Sequence, residues 1–175
     1  SVPVLVLTEP YGFFLCKTQK MSAFQEIIAP NVRRRLETDF LPQYLTHQRW
    51  FSGKAGGMTH IEFIPLGAWE SAHGRWLFAG IHIVYAQGEA ENYSLPLTLR
   101  WGDSETLFPE HLPRVLGHVR YKAQTGLLLE AQTEDAFCCD IVRGIGKGLQ
   151  LPLHRGRLLF TATRSYPDWV AQQEE

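Results

Sequence analysis

Cysteine is scarce in this chain, with three residues in all, and none stands in a CxxC spacing. Cys16, Cys138 and Cys139 are an odd number, and the adjacent pair point apart in either a helix or a strand, so neither a disulfide framework nor a zinc site is indicated. No apolar run approaches the ~20 residues of a membrane span, and no signal peptide opens the chain. No membrane partner is expected, and a reducing cytoplasm is the natural compartment. Excess charge is missing as well: 17 Lys and Arg against 18 Asp and Glu leave a formal net charge of −1. Without a global field to draw the chain onto phosphate backbones, no nucleic acid partner is expected. The densest basic run, Arg33-Arg34-Arg35, reads as a solvated helix face.

Catalytic signatures are also missing. Gly144-Ile145-Gly146-Lys147-Gly148 has the look of a phosphate loop, but such loops open a helix, and here the glycines close one. Gly53-Lys54 resembles the end of a Walker A motif, yet the first glycine would fall at Gln48 and the hydroxyl residue after the lysine is Ala55. Seven histidines, at positions 47, 60, 73, 82, 111, 118 and 154, include no i, i+4 pair that could share a metal on one helix face. There is no GxSxG elbow, and Cys138 beside Phe137 reads as a buried, unreactive thiol. A kinase would need an Asp to orient the hydroxyl and metal-binding Asn and Asp residues, and no such pattern stands here. No catalytic, cofactor-binding or metal-ligating residue is assigned.

What is present is the composition of a folded protein: 45% hydrophobic, 12% aromatic and 20% charged residues over 175 positions and 20.0 kDa. That is enough for one domain, or one domain and part of a neighbour. The first residue is Ser1 and not Met, which hints at a boundary inside a longer chain. Residues 2–18 read as two short strands joined at Glu9-Pro10-Tyr11-Gly12, a hairpin whose apolar residues want a sheet to join. From the N-cap Asn31 the apolar Val32, Leu36 and Phe40 recur every four residues, which predicts an amphipathic helix. Pro42 interrupts it, and residues 43–48 form a second short helix with Tyr44 and Leu45 inward.

Strands follow at 59–66, 75–86 and 91–101, the last two joined at Gln87-Gly88-Glu89-Ala90. His82, between Ile81 and Ile83, faces opposite to them. The Pro-rich stretch from Leu107 to Pro113 marks a subdomain boundary. Beyond it come strands at 117–122 and 126–131, a helix capped by Thr133 and ended by Gly146 and Gly148, and a strand at 157–163. The class is α+β, an antiparallel sheet packed on a helix, followed by a smaller strand-strand-helix-strand segment, and the resemblance given below implies that the sheet is curved.

One local signature is concentrated: Leu41-Pro42-Gln43-Tyr44-Leu45, then Gln48-Arg49-Trp50-Phe51-Ser52-Gly53-Lys54. Its bland reading is structural, with Trp50 and Phe51 filling the core; its functional reading is a docking patch, since Trp and Arg dominate interface hot spots. The segment is similar to the motif of the maltokinase N-terminal cap. Tyr93-Ser94-Leu95-Pro96-Leu97 looks like that family's strand after an acidic hairpin. Residues 126–131 with 134–138 resemble its Leu-x-Asp-Ala strand and acidic helix start, with Glu130 in place of the Asp. The N-terminal hairpin, residues 4–14, resembles the closing strands of trehalose synthase's C-terminal β domain, which implies a fused parent.

The resemblance implies a cystatin-like cap, with a hairpin at 1–19, the cap at 20–106 and its second part at 107–175. It implies a parent maltokinase that uses ATP and magnesium to phosphorylate maltose, with its catalytic residues outside the region matched. The partners implied are the kinase lobes and trehalose synthase. Arg49, Trp50, Phe51, Gly53, Lys54, Tyr93 and Pro96 are the candidate interaction residues. A free-standing small-molecule-binding module with a related curved sheet is the alternative.

Overall fold

The computed structural model describes residues 4–9, 12–13, 16–17, 24, 27–53, 56–102, 114–121, 123–154 and 156–167. The N-terminal hairpin is present, with β1 (Val4–Glu9) paired to β2 (Gly12–Phe13) and to β3 (Cys16–Lys17).

The helix is one unbroken run in place of two. It begins a residue or two earlier than expected, because Ala29 is the N-cap and Pro30 takes the first helical position, where its fixed φ fits and its missing N–H is not needed. α1 (Pro30–Arg35) leads into a π turn (Leu36–Phe40) and then α2 (Leu41–His47). Apolar residues spaced by four drift about 40° per step round an ordinary α-helix. The wider turn takes that drift back, so Val32, Leu36, Phe40, Leu41, Tyr44 and Leu45 are all buried. It also accommodates Pro42, which falls in the first turn of α2, while the Leu41 N–H bonds the Leu36 carbonyl. Arg33 and Arg35 pair with Glu37 and Asp39 on the outer side, as a solvated face should.

A strongly curled antiparallel sheet wraps this helix. β4 (Met58–Glu70) and β5 (Arg75–Tyr85) run as a long hairpin, followed by β6 (Glu91–Ser94) and β7 (Leu97–Trp101). β8 (Val115–Tyr121) and β9 (Gln124–Glu130) complete it. The order is β2-β1-β8-β9-β7-β5-β4, with β3 also on β1 and β6 also on β5. The hairpin thus finds its sheet within this chain, since β1 lies along β8.

The strand expected at 91–101 is divided at Pro96. β6 pairs with the middle of β5, whereas β7 touches β5 only at Leu77↔Leu97 and then runs along β9. β5 alternates as read: Leu77, Ala79, Ile81 and Ile83 face the helix, and His82 faces away to bond Asn92. The turn before β6 uses Gly88 at φ +101°. The expected boundary at Leu107–Pro113 lies outside the described residues.

The opposite face of the sheet is covered by α3 (Asp135–Gly146), where Phe137 packs on Trp76 and Phe78. Thr133 does not cap this helix. A 3-10 turn at Ala131–Thr133 intervenes, the Thr133 hydroxyl donates to the Glu130 carbonyl, and Glu134 takes the cap position. The helix ends as expected, with Gly148 at φ +58° and the Leu149 N–H closing on Gly144 O at 3.0 Å. Cys138 is exposed, contrary to its reading as buried, because α3 turns Phe137, Asp140 and Gly144 inward instead. A separate pair, β10 (Gln150–Pro152) with β11 (Arg157–Leu159), follows; the last strand is shorter than expected.

Asp140 is the polar rivet of this second face. Its buried carboxylate accepts from Ser71 Oγ at 2.5 Å, His73 Nδ1 at 2.7 Å and Trp76 Nε1 at 2.9 Å, tying the β4–β5 turn to α3. Burial pushes its pKa up, but the Ser71, Trp76 and His73 hydrogen bonds outweigh that and hold it below the usual value. Asp140→Ala is expected to lower the unfolding free energy by roughly 3 kcal/mol in urea melts, since three donors lose a charged acceptor. A depressed folded pKa gives stability that is present above the unfolded carboxylate value and lost as pH falls through the folded one. The gap between wild type and Asp140→Asn should therefore close only in strongly acid solution.

Candidate functional site

The signature segments, far apart in sequence, meet in space. Tyr44, on the buried face of α2, donates its hydroxyl to the Glu130 carboxylate at the end of β9. Burial and then the Glu130 contact push the Tyr44 phenol well above its ordinary pKa, so it stays a donor. Gln48 takes extended geometry and ends α2, its side chain reaching back to the Tyr44 carbonyl at 3.3 Å. The chain then leaves the helix towards the β5–β6 turn.

There the Trp50-Phe51 pair divides. Phe51 is 2% exposed and belongs to the core, as the structural reading held. Trp50 does not fill the core; it is 42% exposed and rests on Phe51 at 6.3 Å and on Tyr93 at 5.6 Å between ring centres. Phe51 takes the core position, and Trp50 is left on the outside of the bend that leads to it. Arg49 is exposed and has no hydrogen-bond or ion-pair partner among the described residues.

Beneath Trp50 lies a hydroxyl–carboxylate cluster. Tyr93 and Tyr85 both donate to Glu91 Oε2, at 2.5 and 2.7 Å, and Ser52 Oγ is 3.2 Å from the Tyr93 hydroxyl. The Tyr93 bond, then the Tyr85 bond, hold the Glu91 carboxyl below its usual pKa, while burial and Glu91 push the Tyr85 phenol up. Both hydroxyls are committed as donors to an ionised acceptor, which braces the cluster and leaves neither as a base. Gly53 fits because a Cβ there would stand 2.0 Å from the Tyr85 hydroxyl. Lys54 lies outside the described residues. Pro96 is buried at the β6–β7 junction, where its carbonyl accepts from Ala131 N at 2.7 Å.

Of the expected site residues, Arg49, Trp50, Phe51, Gly53 and Tyr93 come together, and Pro96 ends the strand that carries Tyr93. Tyr85 and Glu91 were missed. Strand alternation run across the 86–90 turn would have put Tyr85, Glu91 and Tyr93 on one face. Among the described residues no three His, Cys, Asp or Glu side chains group as metal ligands.

The family model of the maltokinase N-terminal cap domain matches residues 44–133, just over half of the chain. The chain belongs to the maltokinase N-terminal cap family. The match opens on Tyr44 and closes just after Glu130, so it takes in the whole cluster and strands β4 to β9. Neither curated proteins nor solved structures yield a match.

In this cap the two aromatic neighbours should respond differently to truncation. Phe51→Ala is expected to cost about 3–4 kcal/mol of stability. Trp50→Ala should cost under about 1 kcal/mol, as an exposed ring with a rigid base. Paired urea melts of the two variants measure this, and equal losses would contradict the division.

Proposed function

We propose that this chain is the non-catalytic N-terminal cap of a maltokinase, acting to position the kinase lobes and, secondarily, to carry contact with trehalose synthase. The parent enzyme would convert maltose to maltose 1-phosphate in the cytoplasm, with ATP and magnesium held by residues outside this chain. The observation that carries the reading is the surface built by the family's own signature: an exposed indole and a guanidinium without a partner among the described residues, on a braced aromatic base. Trp and Arg are the side chains that most often supply interface energy, and a rigid base lowers the entropy lost on docking. The N-terminal hairpin would be the end of a preceding trehalose synthase β domain in a fused parent. In this chain it shares a sheet with the cap through β1 and β8.

The alternative, a small-molecule module, has one observation in its favour. A recess of about 350 Å³ opens at the end of the sheet, with Phe24, Ile28, Trp69 and Leu77 as apolar walls and Arg75 and His154 at its polar side. The buried interface between helix and sheet is filled by Leu36, Phe40, Phe63 and Ile81, and the wider recess at its rim, about 690 Å³ between Arg34, Glu37, Met58 and His60, is more polar.

Incubated with maltose, ATP and magnesium, the chain should yield no maltose 1-phosphate once contaminating kinase is removed; sustained turnover would sink the non-catalytic reading. Titrated calorimetrically into the kinase lobes of the parent, it should bind, and Trp50→Ala should weaken binding at least about tenfold. Leu159→Ala, an equally exposed apolar residue on β11, is the control and should bind as wild type. Equal affinity of all three proteins would remove the patch from the interface.

A further inference from the structure

Beside Trp50 the sheet has an edge that no strand among the described residues covers, and its direction follows from the ladder. In an antiparallel pair the residues alternate between bonding their partner and pointing away from it. Phe63 gives its N–H to Glu37 Oε1 at 2.8 Å, so it points away from β5. Its partner Ile81 therefore points away from β4, towards β6, as does Ile83. Ile81 and Ile83 stand opposite Tyr93 and Glu91, and the Leu95 N–H keeps the same phase by bonding Ala79 O at 2.8 Å. Residues 91, 93 and 95 thus spend their backbone groups on β5. Asn92 and Ser94 aim theirs outward.

Both residues are exposed, and among the described residues no strand pairs with β6 on that side. The Asn92 side chain is engaged with His82 at 2.9 Å, leaving its backbone for the edge. Pro96 is next in phase; it has no N–H, and Ala131 already occupies its carbonyl, so the template stops there. A strand added to this edge would lie about 4.8 Å from β6. Its alternate side chains would then run beside the Trp50 ring, itself 5.6 Å from Tyr93. Arg49, next to Trp50 in the chain and exposed with no partner among the described residues, would favour a carboxylate within its reach.

We propose that the free edge of β6 takes an extended partner segment as an added strand, with an apolar side chain on Trp50 and a carboxylate on Arg49. This rests on reading the patch as a contact surface and specifies how the partner meets it: backbone hydrogen bonds supply part of the affinity, and alternate side chains the selectivity.

The test uses the ¹⁵N-labelled chain and a capped peptide, acetyl-Thr-Val-Thr-Leu-Thr-Asp-Thr-amide, with two isomers N-methylated on one alternate set of residues or on the other. Asn92 and Ser94 amides should show the largest shifts and slower hydrogen exchange. One methylated isomer should bind at least about tenfold more weakly while the other binds as the parent peptide, since only one set of N–H groups faces the edge. Changing the peptide's Asp to Asn should weaken binding to wild type several-fold and leave binding to Arg49→Ala unchanged. The proposal is overturned by equal effects of both methylations, by shifts that spare Asn92 and Ser94, or by no binding at several millimolar peptide. Peptide binding without binding of the kinase lobes would overturn the cap reading alone. Lobes that bind while both amides stay unprotected would overturn strand addition alone.

Discussion

A carboxylate buried at the end of β9 must be met by a donor, and the Tyr44 hydroxyl meets it. Glu130 is 6% exposed, and an isolated buried carboxylate would be prohibitively costly. The two partners stand 86 residues apart, so the whole sheet from β4 to β9 has to curl until its last strand returns over the helix. Ala131, the next residue, then bonds Pro96 and fastens β9's end to the β6–β7 junction. With the register of α2 set in this way, Gln48 leaves the helix at one place, and the loop to Phe51 has one direction to take.

The two faces of the sheet explain the uneven character of β5. Its inward residues, Leu77, Ala79, Ile81 and Ile83, are apolar throughout because the helix covers them all. Its outward residues are large and aromatic only where α3 lies: Trp76 and Phe78 pack on Phe137, and Asp140 accepts from the Trp76 indole N–H. Farther along, Gly80, His82 and Val84 face outward with no helix among the described residues over them. A strand can therefore read as doubly buried at one end and half-buried at the other, and the change marks where the second layer stops.

Much of this was legible because it depends on local period or local backbone freedom. The Ile81-His82-Ile83 alternation, the Gly88 turn and the Gly148 helix end each follow from a few neighbouring residues. The fold class and the family signature were legible too. Other features depend on partners distant in sequence. Val32, Leu36 and Phe40 read correctly as one face, but a proline at 42 argues for a break unless a wide turn precedes it, and nothing local announces a π turn. Thr133 is a good cap residue that instead closes a 3-10 turn starting at Ala131, whose N–H is held by the Pro96 carbonyl. Trp50 and Phe51 have similar reasons to be buried; which one enters the core is decided by the phase of the loop, and that phase is inherited from Tyr44 and Glu130.

Pro96 shows how one residue can set both the continuity of the sheet and its interruption. β7 lies between β5 and β9, and Leu97 pairs with both, while β9 ends at Glu130 opposite Leu97 and does not run on beside β6. Proline at 96 removes the outward N–H there, and the chain shifts to β9 immediately afterwards. Among the described residues β6 is then paired on one side only, with Asn92 and Ser94 facing outward beside Trp50. The Glu91 carboxylate, held by two tyrosine hydroxyls, keeps that short strand and the indole in fixed relation. The edge follows from that change of strand partner and the exposed ring from the phase of the loop, and both lie within the residues that the family model matches.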